Sequence, residues 1–314
     1  MKRIDMLISM ARLISANETV SAANDIGDQE FLQYANDGQD RMQSMISNSR
    51  NTAKIFVTEK IIAAVANQQE YDLADRLFFN KAIEQIEYSH DSSLSNYGVL
   101  QKLGFYNRST DTSDYPRGYY RRRGKFYPVP IVNASSGSFR VMFERTLDDL
   151  DIRRGTVNTI TNLNTTTRTF DSFTITGPDE SATPINLTNV DYVCLCDKDG
   201  APKMYNIPVG SYNSSTDTLT PVSGFAYQVG ESITAGNYVT LHKYTVTHSA
   251  LPDDCERYLV QYMVLAAKHR DSSVDFEKAL VFLDKLMEGD IIKACSKQTA
   301  EVEYIPQLDE SEWL

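Results

Sequence analysis

The chain has no long apolar run. No window approaches the roughly 18 consecutive apolar residues that a membrane-spanning helix needs. Export is not signalled either: Lys2 and Arg3 precede Met6, Leu7 and Ile8, but Asp5 and Arg12 interrupt the apolar stretch and no cleavage site follows. The expectation is a soluble, unexported chain made in the cytoplasm, without a membrane partner. Cysteine is scarce, with Cys194, Cys196, Cys255 and Cys295 the full set. Cys194 and Cys196 stand two apart in a Val/Leu-rich strand, on one sheet face and in poor disulfide geometry. No CxxC or HxxxH partner completes a zinc site, so buried thiols and no metal are expected. A surplus of positive charge is also missing: 31 Lys and Arg face 42 Asp and Glu, for a net charge of -11. That excludes affinity for nucleic acid through a general basic surface.

Catalytic signatures are absent as well. The chain has no GxSxG elbow, no GxxxxGK[ST] loop and no GxGxxG fingerprint, and nothing in the sequence pairs two carboxylates as acid and base. The near misses have plainer readings. Asp197, Asp199 and Gly200 lack the later Glu of a calcium loop and read as a hairpin turn. His269, Arg270 and Asp271 spell a kinase-like triplet but end a helix. His242 and His248 would lie about 20 Å apart in extended chain, too far to share a metal. No enzyme and no cofactor are predicted.

What the chain does contain is helical pattern at its two ends. Ile4, Leu7, Ile8, Ala11 and Ile14 make one amphipathic stripe. From Gly27 and Asp28 a stronger one follows, in which Phe31, Leu32, Ala35, Met42, Met45 and Ile46 back a polar side of Gln, Asp and Arg. Near the other end, Cys255, Tyr258, Leu259, Tyr262, Met263 and Ala266 recur at helical spacing, as do Phe276, Ala279, Leu280, Leu283, Leu286 and Met287. Pro252 and the acids after it place the first helix start near Asp253. Ser272 or Ser273 can cap the second helix, with Asp275 completing a capping box, and Gly289 can end it.

Between these ends the period turns to strands. The candidates are Ile55 to Val65, Glu70 to Leu73, Ile83 to Tyr88, Lys125 to Val129 and Ser138 to Glu144, with turns at residues 67–69 and 133–137 suggesting a meander of hairpins. Residues 156–247 shift toward Thr, Ser, Asn, Gly and Pro and read as an inserted all-β domain. Its strands are expected at Thr169 to Thr176, Tyr192 to Cys196, Lys203 to Ile207, Ala226 to Val229 and Tyr238 to Tyr244. The fold class is therefore α+β: a small helical bundle of N- and C-terminal helices, with an antiparallel β-meander and an inserted all-β domain between them. The expected parts are N-terminal helices at 1–53, a β-meander at 54–155, the inserted domain at 156–247, a helical hairpin at 248–295 and an extended docking tail at 296–314.

Two segments are built for contact. The tail sets Tyr304, Ile305, Pro306, Leu308, Trp313 and Leu314 among acids, and such apolar groups call for a partner or a neighbouring subunit to cover them. Arg117, Arg121, Arg122, Arg123 and Lys125 form a basic tip with Tyr119, Tyr120 and Tyr127. Arg pairs with phosphate while Tyr stacks on bases, so the tip is the one cluster suited to nucleic acid, but in an acidic chain ion pairs between subunits are its expected use.

Four stretches resemble the head-to-tail adaptor, or connector, proteins of short-tailed bacteriophages: DQEFLQYANDGQDRMQSMI from Asp28 with its Tyr-x-Asn centre, QQEYDLADRLFF from Gln68, YPVPIVNASSGSFRVMFER from Tyr127, and LPDDCERYLVQYMVLAAKHRDSS from Leu251. The chain departs from the family at Leu73, which Ala74 follows where members often have Pro, and in the size of its β insertion. The resemblance implies a non-catalytic virion protein at the portal vertex that forms a dodecameric ring beneath the portal protein. Such a ring extends the channel for passing double-stranded DNA, without sequence-specific binding, and docks tail nozzle, hub or fibre proteins. A second expectation is a fibre- or glycan-binding module in the β insertion, which exposed Tyr205, Tyr212 and Tyr227 would favour.

Overall fold

In a computed structural model of the chain, the described residues are 3–17, 27–48, 56–73, 83–90, 96–122, 124–133, 137–177, 187, 189–228, 230–270 and 275–299. Among them the architecture is mixed α+β, with four α-helices, several sheets and a closed six-stranded barrel. The chain divides into two compact units. Residues 1–52 and 147–314 make the first, and residues 53–146 the second.

The first unit opens with helices α1 (Ile4–Asn17) and α2 (Asp28–Asn48). Ile4, Leu7, Ile8 and Ala11 are buried as their spacing predicts, but Ser15, not Ile14, completes the inner face. Ser15 fits there because its hydroxyl donates to the carbonyl of Ala11 at 2.8 Å. On α2, Phe31, Leu32, Ala35, Met42 and Ile46 are buried, and so are Gln39 and Gln43, which the pattern had placed outside. Gly38 lets this helix approach its neighbour closely, since a Cβ there would lie 2.9 Å from Cδ1 of Tyr262.

The second unit follows, with ten short strands among its described residues: β1 (Val57–Ala63), β2 (Tyr71–Asp72), β3 (Ile83–Ser89), β4 (Gly98–Val99), β5 (Gln101–Lys102), β6 (Thr112–Ser113), β7 (Gly118–Arg122), β8 (Lys125–Val129), β9 (Ile131–Val132) and β10 (Ser138–Glu144). One sheet runs β1-β10-β3-β4, a second runs β2-β8-β7-β5, and β6 pairs with β9. The hairpin expected between the first two strands does not form. β1 pairs with β10, and β2 pairs with β8. The reason is core formation: Phe139 of β10 packs against Tyr71 of β2, Phe126 of β8 and Tyr88 of β3, with ring centroids 4.8–5.1 Å apart. Both four-stranded sheets thereby share one apolar core, which a local meander would leave half exposed.

The chain re-enters the first unit through β11 (Asp149–Leu150), then β12 (Gly155–Thr161), β13 (Ser172–Thr176), β14 (Tyr192–Cys196), β15 (Pro202–Asn213), β16 (Thr218–Pro221), β17 (Tyr238–Leu241) and β18 (Thr245–Val246). Six of these close an antiparallel barrel in the order β12-β13-β16-β15-β14-β17, while β11 and β18 form a parallel pair. Its interior is filled by Phe173, Val193, Leu195, Met204, Ile207, Leu219 and Val239, so it is a packed core. Cys194, Cys196 and Cys255 are buried and form no disulfide, and burial raises the thiols of Cys194 and Cys196. The strand expected to reach Tyr244 stops at Leu241, because His242 and Tyr244 take left-handed conformations and Asn206 accepts the Tyr244 amide at 3.0 Å. No strand forms at 226–228, where Tyr227 is a buried loop residue bonded through its amide to the Arg168 carbonyl.

A turn at residues 197–200 matches the predicted hairpin. Asp197 accepts the amides of Asp199 and Ala201 and pairs with Lys203 at 3.2 Å, and Gly200 adopts φ +87° against the ring of His248. His248 is buried, with Nδ1 against the hydroxyl of Thr247, and burial followed by the charge of Arg3 holds its pKa down. In the unfolded chain the ring takes its proton near about pH 6.5, and in the folded chain only at lower pH. Stability is therefore complete above that pH and falls as pH drops through it, by at most about 1.4 kcal/mol per unit, until the folded ring itself titrates. Urea midpoints at pH 7.5 and 5.5 check this, and His248→Gln should remove that part of the slope.

The unit ends with α3 (Glu256–Arg270), preceded by a 3-10 turn at Asp253–Cys255, and α4 (Phe276–Thr299). Helix α3 is central, packing against α1, α2 and α4. Arg41 pairs with Asp284, Arg270 with Glu30 and Arg257 with Asp290. The proposed cap at Ser272 or Ser273 lies outside the described residues. Asp275 itself caps α4, accepting the Lys278 amide at 3.4 Å, and the bonds from Lys278 hold its carboxyl below the usual range. Gly289 does not end the helix: nothing crowds it, and an interior glycine costs only about 1 kcal/mol.

Candidate docking surfaces

Within the first unit, the amides of α2 read the backbone of the segment that leads into the barrel. β11 spends one edge on β18, leaving Leu150 with an unpaired N-H and C=O on the other. Asn36 answers both, accepting from the Leu150 amide at 2.6 Å and donating to its carbonyl at 3.1 Å. Gln39 donates to the Asp148 carbonyl at 2.8 Å, and Gln43 accepts the Leu147 amide at 3.1 Å. The Tyr-x-Asn centre at residues 34–36 thus serves the fold, with Tyr34 bonded to Glu30 at 2.6 Å.

Among the described residues, two helix faces in this unit are apolar and uncovered. On α1, Met6, Met10, Leu13 and Ile14 form a second stripe beside the buried one, and Leu13 is 64% exposed. On α4, Leu283 and Met287 are buried, whereas Val281, Phe282 and Leu286 face out, with Phe282 65% exposed. Leu286 was expected inside. Full burial of one such side chain is worth about 1.5–3 kcal/mol, so both faces favour association.

The basic tip lies in the second unit on the β7/β8 hairpin. Alternation turns Tyr119 and Phe126 into the core and places Tyr120 and Arg122 on the other face, opposite Tyr127 and Lys125. Tyr120 and Tyr127 stack with centroids 4.8 Å apart and an interplanar angle of 3°. Lys125 is engaged, pairing with Glu70 at 2.5 Å and Asp72 at 3.5 Å. Glu70 also accepts from Tyr127 at 2.9 Å. These bonds, led by the one from Lys125, hold the Glu70 carboxyl low, while the bond to Glu70 raises Lys125 and Tyr127.

Arg117 and Arg122 are exposed and Arg121 is half-buried. None of the three has an ion pair among the described residues. Arg123 lies outside the described residues, as do Tyr304, Ile305, Pro306, Leu308, Trp313 and Leu314.

A neighbouring loop, which the sequence reading passed over, completes the patch. The guanidinium carbons of Arg108 and Arg122 lie 5.2 and 5.6 Å from the centroid of Phe105, which meets Tyr120 edge-on at 5.7 Å. Tyr106 is 97% exposed. The available signal was local composition: two aromatics and an Arg between Gly104 and Ser109, with no periodicity to bury them.

The tyrosines proposed as a glycan platform are committed elsewhere. Tyr205 donates to Asp148 at 2.8 Å, Tyr212 to Asp217 at 2.7 Å, and Tyr227 is in the barrel core. Among the described residues no group of three or more His, Cys, Asp or Glu could hold a metal ion, and no helix is long and apolar enough to cross a membrane.

The class defined so far is a two-unit α+β protein with a packed barrel, uncovered helix faces and a cationic aromatic patch. No protein-family profile matches the chain, and no curated protein matches it significantly.

Proposed function

We propose that the chain is a structural head-to-tail adaptor of a short-tailed bacteriophage: a non-catalytic virion subunit that assembles as a ring at the portal vertex, joins the portal to the tail and continues the DNA channel. The observation that carries this reading is the pair of uncovered apolar faces on α1 and α4. A head-to-tail contact needs two different surfaces on one subunit, and such contacts make rings when the rotation between copies closes. In this reading α1 to α4 form the small bundle that is the body of each subunit. The net charge of -11 suits a channel that DNA must pass, because a repelled duplex slides whereas a bound one sticks. The partners are the portal protein, tail nozzle, hub or fibre proteins and further copies of the chain. The C-terminal segment is a strap that reaches a portal or a neighbouring subunit.

Met10→Glu and Phe282→Glu each put a charge on one of these faces without touching the core. Both variants should keep the wild-type circular dichroism spectrum and lose at least tenfold in self-association, read by native mass spectrometry. Wild-type assembly by both variants would remove the basis for this interface.

A further inference from the structure

Among the described residues nothing occupies the patch on the second unit, and its chemistry is specific. Arg108 and Arg122 both lie over the ring of Phe105, and neither carries an ion pair among the described residues. Guanidiniums held against an aromatic ring lose less freedom on meeting a carboxylate than mobile lysines do, and their planar forks match carboxylates in pairs. Beside them, Tyr106 offers a ring that is almost wholly in water. The best occupant is therefore acidic and carries aromatic or aliphatic groups.

One segment of this chain has that composition. Residues 300–314 hold Glu301, Glu303, Asp309, Glu310 and Glu312, contain no Lys, Arg or His, and interleave Tyr304, Ile305, Leu308 and Trp313. We propose that the patch formed by Phe105, Tyr106, Arg108, Tyr120 and Arg122 receives the C-terminal segment 300–314 of a second copy of this chain, a contact that rests on the ring reading above. The acids pair with the arginines while the tail's aromatic and aliphatic groups cover Tyr106 and Phe105. Nucleic acid is the weaker fit, because a chain of net charge -11 repels a long polyanion beyond the few contacts the patch could make. A short acidic peptide on a neighbouring copy meets the patch at high local concentration.

The test uses the full chain with a photoreactive benzoylphenylalanine in place of Tyr304, as an equal mixture of isotopically light and heavy protein. Illumination should give heavy-light cross-links joining position 304 to peptides containing residues 105–122, and their yield should fall as salt screens the pairs. The double variant R108E, R122E should reduce the yield at least tenfold with its circular dichroism spectrum unchanged. Reversing the tail with E301K, E303K and E310K should restore it. Cross-links confined to single chains, located elsewhere, or insensitive to the double variant overturn the contact. Binding of a single-stranded oligonucleotide that the double variant abolishes, without tail cross-links, assigns the patch to nucleic acid instead. Native mass spectrometry of the same samples separates the two ideas: rings without the cross-link sink this contact alone, and no rings with or without portal sink the ring reading.

Discussion

Asp151→Ala is expected to destabilise the first unit by about 3–5 kcal/mol, the cost of breaking one side of a buried ion pair. The side chain of Asp151 is only 4% exposed, and that of Arg154 is nearly as enclosed. Arg154 bonds Asp151 at 2.6 and 3.1 Å, while the second carboxylate oxygen of Asp151 accepts the Leu241 amide at 2.7 Å. One carboxylate thus holds the entry of β12 and the end of β17, the two strands whose pairing closes the barrel. Removing it leaves the half-buried Arg154 guanidinium without its carboxylate and the Leu241 amide without its acceptor, where water reaches both only in part. Lys125→Ala is the matched contrast: it breaks ion pairs to Glu70 and Asp72 at an exposed, solvent-screened site and should leave the urea midpoint close to wild type. Urea denaturation of both variants checks the difference. A loss below about 1 kcal/mol for Asp151→Ala would mean that the barrel closes without this pair.

Asn36→Leu should cost about 2–4 kcal/mol. Two backbone groups of Leu150 lose their partner at once, and each buried unsatisfied group costs about 1–3 kcal/mol. Leucine is close to asparagine in size and prefers a helix, so helix propensity cannot be the source of the loss. Tyr34→Phe on the same turn removes a less buried bond to Glu30 and should cost under about 1 kcal/mol. Hydrogen exchange gives the local signature, because the Leu150 amide donates directly to Asn36 and should lose protection in the Leu variant more than the barrel amides do. Equal protection in wild type and variant would show that β11 does not depend on α2.

The same residues mark how far the sequence could be read. Apolar spacing placed α1, α2 and α3 and most of their buried faces, because an aliphatic residue carries its preference with it. Gln39 and Gln43 were read outward for the same reason. An amide goes inside only when a backbone edge lacks a partner, and that edge, at 147–150, is more than a hundred positions away in the chain. Strands β10 and β14 were located to the residue by alternation, yet the pairing of β1 with β10 was invisible, since it is decided by the aromatic core around Phe139 and not by neighbours. Ile14 and Leu286 misled through their own hydrophobicity: the spacing counts them as core, and the packed helices leave them at the surface. Of the candidate surfaces, the arginines of the β7/β8 tip were legible from charge, whereas Phe105 and Arg108 join them only through the fold of the second unit.

The central claim is that copies of this chain assemble as a ring against a portal. Native mass spectrometry of the purified chain, alone and mixed with rings of the portal protein that the proposal pairs it with, tests it most directly. The expected result is a closed assembly of one uniform copy number in complex with the portal, twelve if the family resemblance extends to stoichiometry. A chain that stays monomeric in both samples, across the concentrations at which the portal itself is assembled, would contradict it.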